Sequence, residues 1–60
     1  MTNVEIAIDL FAKAIAFYYR AYGKDFELCV SEIRKRLDFL CLYDSDIEKA
    51  KNKAKEILGI

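Results

Sequence analysis

Residues able to support covalent chemistry are few in this sequence, and they do not form a catalytic set. The chain has two cysteines, Cys29 and Cys41, and no histidine. Ser31 and Ser45 therefore lack the imidazole base that commonly activates a serine nucleophile. Either cysteine would also need a base and a lowered pKa in order to react. We predict that the protein is not an enzyme and that it uses no cofactor.

Metal ligands and disulfide partners are equally sparse. The cysteines do not form a CxxC pair, and Asp44, Asp46 and Glu48 are not followed by the glycine and distal glutamate of a calcium loop. We place Cys29 and Cys41 on one helix, about 18 Å apart, whereas a disulfide requires Cα atoms within about 7 Å. The sequence therefore predicts neither a metal site nor a disulfide within the chain.

Tyrosines and cations are the residues most able to bind a ligand. Tyr18, Tyr19 and Tyr22 could stack on a planar ligand, but aromatic residues at helical spacing more often form a core or an interface. Basic residues could contact phosphates, although acidic neighbours dilute their field. A small nucleic-acid-associated regulator is therefore the alternative function. Its candidate contacts are Arg34, Lys35, Lys49, Lys51, Lys53 and Lys55.

The overall charge gives no direction toward a particular partner. Ten acidic and ten basic residues give a formal net charge of +0, so no global field steers the chain to nucleic acid or an anionic membrane. The first residues lack the basic region of a secretion signal, and no small-residue cleavage site follows a polar break. We therefore expect a cytoplasmic protein.

Capping signals predict three helices in an all-α fold. A Thr2–Glu5 capping box starts the first helix at residue 3, and Gly23 is expected to end it at residue 22 in a left-handed conformation. Asp25 caps a second helix over 26–42, where apolar residues recur every three or four positions. A Ser45–Glu48 box precedes a third helix over 46–58.

These elements predict a small three-helix unit that forms a single domain over residues 1–60, with the first helix at its centre. Short connections make neighbouring helices antiparallel. A unit of this size has marginal stability, and small scaffolds usually add a disulfide, a metal or a partner subunit. Since the sequence predicts neither a disulfide nor a metal site, a partner subunit is the remaining way to stabilise the unit.

The first helix carries more apolar surface than its two neighbours can cover. At about 100° per residue, its charged residues share one narrow, water-facing arc with Ala16. A broad face that includes Phe11 and Ile15 is assigned to the second helix. The third helix is expected to cover only part of a second face, formed by Ile6, Leu10 and Phe17. A row of alanines, one heptad apart, separates the two faces.

This surplus predicts association. Two charges, Asp9 and Lys13, lie well inside the apolar segment and argue against a membrane span, because each would cost about 2.5–3.5 kcal/mol at the bilayer centre. A second apolar row, on helix 2, is also expected to face outward. We therefore expect a homodimer and a non-enzymatic role as a regulator, inhibitor or adaptor that binds another protein. The predicted interface is Ile6, Leu10, Ala14, Phe17, Leu28, Phe39, Leu42 and Tyr43.

Overall fold

The longest helix, α1, covers Asn3–Tyr22 and begins at the predicted cap. The computed structural model describes residues 2–60. The Thr2 hydroxyl oxygen accepts a hydrogen bond from the Glu5 backbone N–H at 3.2 Å. This bond satisfies one of the amides that the first turn of any helix leaves without a partner. The predicted bounds of the first helix are therefore confirmed.

Gly23 ends α1, but not in the predicted left-handed conformation. Its backbone is extended, with φ −76° and ψ 128°, and its N–H donates to the Tyr19 carbonyl at 2.7 Å. Glycine is required for space: a Cβ here would lie 2.7 Å from the Tyr19 Cα and would clash with the Tyr19 carbonyl oxygen. The chain can therefore turn closely past the end of α1 only without a side chain at residue 23.

The second helix, α2, is shorter than predicted and covers Phe26–Arg36. A 3₁₀ turn over Asp38–Leu40 follows, and Cys41 adopts a left-handed conformation with φ 56°. The prediction that one helix continues to residue 42 is wrong. The turn brings Leu40 and Leu42 back against the core, whereas Cys41 is exposed and not on the predicted buried face.

The third helix, α3, covers Asp44–Leu58 and begins two residues earlier than predicted. Its N-cap is Tyr43, whose backbone N–H donates to the Asp46 carboxylate at 3.2 Å. The predicted Ser45–Glu48 capping box is therefore wrong. Early carboxylates favour this start because they interact well with the positive end of the helix dipole. Gly59 ends α3 with φ 75°, as expected of a left-handed stop.

The core lies where α2 and α3 pack on one side of α1. Its large members include Phe11, Ile15, Ile33 and Ile47, all at most 6% exposed. The closest association is between α1 and α3, where Ala12 and Ala16 of α1 and Ala50 and Ala54 of α3 are buried. The predicted all-α three-helix fold is thus confirmed, with no strand among residues 2–60.

The position of α3 differs from the prediction. Ala16, expected on a water-facing arc, is only 2% exposed. Two contacts place α3 along that arc: Lys53 pairs with Asp9 at 2.8 Å, and the Arg20 guanidinium donates to the Ile57 carbonyl at 3.3 Å. Small side chains let the two helices approach, while the charges remain at the edge of the contact. The face formed by Ile6, Leu10 and Phe17 is therefore left without cover from α3.

The two glycines allow a direct test of the steric requirement for glycine at residue 23. We expect Gly23→Ala to lower the free energy of unfolding by about 2–3 kcal/mol, because its Cβ must displace backbone. Gly59→Ala is the matched control, since open space surrounds its Cβ and only the left-handed backbone costs about 1 kcal/mol. Urea denaturation of both variants measures the difference. Equal losses would contradict the steric role of Gly23.

Candidate protein-binding surface

One side of α1 presents a row of apolar residues to solvent. Ile6, Leu10 and Phe17 are 44%, 53% and 74% exposed. They project away from Phe11 and Ile15, which are buried under α2 and α3. We call this row the outer face of α1. Its members are Ile6, Leu10, Phe17 and Ala21, together with Ala14, which is half-buried and also packs against the core. Three large, exposed apolar side chains thus lie in line on one helix.

The structure divides the other predicted interface residues among different places. Leu28 is exposed on α2, Phe39 is exposed in the 3₁₀ turn, and Tyr43 is exposed at the start of α3. Leu42 instead packs against the core. These residues do not form a second helical row, because α2 ends at Arg36. The outer face of α1 is therefore separate from the apolar residues of the turn.

Basic residues follow the side of the outer face nearest α3, which we call the α3 rim. Lys13 and Arg20 lie three residues after Leu10 and Phe17, so they border those side chains on the helix surface. Asp9 accepts hydrogen bonds from both Lys13 at 2.9 Å and Lys53 at 2.8 Å. Both hydrogen bonds lower the pKa of the Asp9 carboxyl, and the bond from Lys53 has the larger effect. One carboxylate thus serves two ammonium groups.

The opposite side, which we call the α2 rim, repeats this arrangement. The Arg36 guanidinium lies 5.6 Å from the Tyr18 ring centroid, and Tyr18 borders Ala14 on α1 at the i+4 position. Glu32 pairs with Arg36 at 2.8 Å and with Lys35 at 3.5 Å. The hydrogen bond from Arg36 and the nearby charge of Lys35 lower the pKa of the Glu32 carboxyl. Here too, two cations share one carboxylate.

An open groove of about 390 Å³ separates α2 from α3. Val30 and Ile47, both buried, lie at its floor. Two ion pairs connect its walls: Arg34 with Asp44 at 2.6 Å, and Lys51 with Glu27 at 3.0 Å. The charged groups of these two pairs are therefore engaged with one another.

The candidate nucleic-acid contacts are spread over α2 and α3, and most of them have partners. Arg34, Lys35 and Lys53 pair with carboxylates as described, and Lys51 pairs with two. Lys55 lies 5.4 Å from the Phe26 ring centroid. Lys49 is exposed. The nucleic-acid function stays a prediction, with these cations as its candidate contacts.

The cysteines occupy different environments. Cys29 is buried, and burial raises the pKa of its thiol, which keeps it protonated at neutral pH. Cys41 is exposed, and its thiol lies 3.5 Å from the Phe39 carbonyl oxygen. Both are free. Within residues 2–60, no group of three or more potential ligands is placed to hold a metal ion.

Comparison with known proteins adds no family to these observations. No protein-family model, no curated protein and no solved structure matches the chain. Among residues 2–60, no helix combines the length and hydropathy of a membrane span.

Sequence reasoning identified the apolar members of the outer face but missed both rims. Ile6, Leu10 and Phe17 were recognised because their helical spacing is visible in the sequence. The Lys53–Asp9 and Arg36–Tyr18 contacts join different helices, so no spacing within one helix predicts them. Lys49 and Lys53 form an i,i+4 row on α3, which is a weak signal of a basic border. The sequence alone does not show which helix this row faces, because that depends on where α3 packs.

Asp9 gives this side of the molecule a specific acid sensitivity. Its lowered pKa means that its stabilising contribution is present above its ordinary pKa of 3.8 and is lost as the pH falls through the lower value of the folded state. We expect Asp9→Asn to be less stable than the natural protein at pH 7 and to lose less stability between about pH 4 and pH 2.

Urea unfolding across that pH range measures the effect. Asp38→Asn is the control for removal of a negative charge, because Asp38 is exposed and makes no ion pair within the described chain. If Asp9→Asn keeps the full acid dependence of the natural protein, the Asp9–Lys53 contact does not contribute to it.

Proposed function

We propose that this protein acts without chemistry of its own, by binding another protein chain through the outer face of α1. The observation that carries this proposal is the exposure of Ile6, Leu10 and Phe17 in one row. Contiguous apolar patches on soluble chains commonly mark interaction sites, and aromatic side chains such as Phe17 are enriched at interface centres. A small regulator, inhibitor or adaptor would use such a surface to block or organise its partner.

A second copy of the chain is one molecule that would cover the outer face. The homodimer remains a prediction, and in it two outer faces would pack together around Leu10 and Phe17. Apolar burial would provide the attraction, at roughly 25 cal/mol for each Å² removed from water. Like-charged rims would oppose it, so added salt should strengthen the association by screening them.

Substitution of Leu10 tests the dimer. We expect Leu10→Glu to weaken self-association measured by sedimentation equilibrium at micromolar concentration, because a charge would be buried at the contact. Far-UV circular dichroism should show the helix content unchanged, since Leu10 is 53% exposed. Ile60→Glu is the matched control, because Ile60 is 62% exposed and lies after α3, outside the predicted interface. A natural protein that stays monomeric under these conditions would exclude the homodimer.

Photo-crosslinking tests the binding of other proteins. We expect a benzophenone-bearing phenylalanine analogue at Phe17 to form covalent adducts with a discrete protein species in the cells that make this protein. Phe39 is the matched control, because it is 71% exposed compared with 74% for Phe17 but lies on the turn after α2. Adducts from Phe39 alone would move the binding surface to the turn. Absence of adducts from Phe17 and of self-association would contradict the proposal.

A further inference from the structure

The rims of the outer face have an excess of positive charge on both sides. On the α3 rim, Lys13 and Lys53 pair with one shared carboxylate, that of Asp9. Arg20 binds a backbone carbonyl and has no carboxylate partner within residues 2–60. The sharing of a single carboxylate therefore leaves this rim cationic.

The α2 rim has the same excess. Lys35 and Arg36 share Glu32, and the Arg36 guanidinium lies over Tyr18 beside the apolar row. Lys35 remains 71% exposed while it makes this contact. An apolar row with a cationic border on each side is thus formed from three helices of a chain whose formal net charge is +0.

A second copy would cover the apolar row without neutralising these borders. In an antiparallel pair of α1 helices, each rim faces the same rim of the other copy. In a parallel pair, the α3 rim of one copy faces the α2 rim of the other. Positive charge meets positive charge in both arrangements, and such contacts disfavour an interface. Charge complementarity therefore favours a different chain.

We propose that the outer face of α1 binds an amphipathic helix of another protein, whose apolar seam is flanked on both sides by Asp or Glu. This inference rests on the function proposed above and specifies the class of partner. The acidic flanks of that helix pair with Lys13 and Arg20 on one side and with Lys35 and Arg36 on the other. The apolar seam covers Leu10 and Phe17.

The shape of the outer face suits a helix better than a lipid surface. Leu10 and Phe17 are one heptad apart, and alanines precede and follow each of them at three- and four-residue steps, at positions 7, 14 and 21. This alternation of large and small residues matches the a and d positions of a helix pair, in which side chains of one helix enter spaces on the other. Lipid binding instead scales with apolar area, and only three large side chains supply it here.

The length of α1 also suits such a partner. Its 20 residues extend for about 30 Å. Ile6, Leu10 and Phe17 are distributed over three turns, so a partner helix of about three or four heptads lies alongside the whole row. Acidic residues at its e and g positions then reach the rims, as in charged pairs that select partners in coiled coils.

The proposal is tested with a synthetic peptide of about four heptads that carries Leu at a and d and Glu at e and g. A second peptide with Lys in place of each Glu is its control. Binding to the full chain is measured by fluorescence anisotropy at low and high salt. We expect the Glu peptide to bind and the Lys peptide not to bind, and we expect added salt to weaken the interaction.

Variants of the chain show whether the rims are responsible. Lys13→Glu combined with Lys35→Glu should weaken binding of the Glu peptide about tenfold, since both side chains lie on the rims and are mostly exposed. Lys24→Glu combined with Lys55→Glu changes the net charge equally but leaves the rims intact, so it should bind as the natural protein does. Circular dichroism confirms that each variant is folded.

The remaining outcomes show which molecule covers the outer face of α1. Equal binding of both peptides would overturn the acidic class of partner but leave the proposed function standing. Self-association that strengthens with salt and excludes the Glu peptide would make a second copy the occupant. Binding to phosphatidylserine vesicles, sensitive to Phe17→Glu, without peptide binding would replace the helix with a membrane surface. If neither peptides, vesicles nor a second copy binds, the proposed function fails as well.

Discussion

The close approach of α1 and α3 is the contact on which the rest of the structure depends. It relies on alanines: Ala12 and Ala16 on one helix, Ala50 and Ala54 on the other, all essentially excluded from water. Side chains of this size allow the backbones to approach, and dispersion contacts accumulate over several turns. A larger residue at these positions would separate the helices and disrupt the packing. The contact also determines which side of α1 remains uncovered.

From that contact follows the distribution of charge around α1. Because α3 lies beside Ala12 and Ala16, its Lys53 reaches Asp9, and the acidic residue that would otherwise neutralise Lys13 is shared. Mutual pairing of surface charges usually contributes little to stability. In the proposed function the pairing matters for recognition, since it affects the charge that borders an exposed apolar row. Packing in the core thereby influences what the surface can bind.

Periodicity and capping predicted the helix count, the bounds of α1 and most of the core. They failed where tertiary contacts override local signals. The apolar spacing of Leu37, Leu40 and Cys41 continues the pattern of α2, yet the chain leaves the helix because the turn returns Leu40 and Leu42 to the core. The helical projection of α1 places Ala16 among the charged residues, because a projection of one helix does not show which other helices pack against it. Of the proposed binding surface, the apolar row is visible in the sequence, whereas its charged border depends on contacts between helices.

The order of the helices along the chain has a consequence for biosynthesis. The principal contact joins the first helix to the third, so the alanines of α1 stay uncovered until the segment around Ala50 and Ala54 has been made and released. During that interval both apolar sides of α1 are uncovered, and nonlocal pairing delays their burial. The alanine contact is therefore expected to form late in folding, because it pairs residues from opposite ends of the sequence.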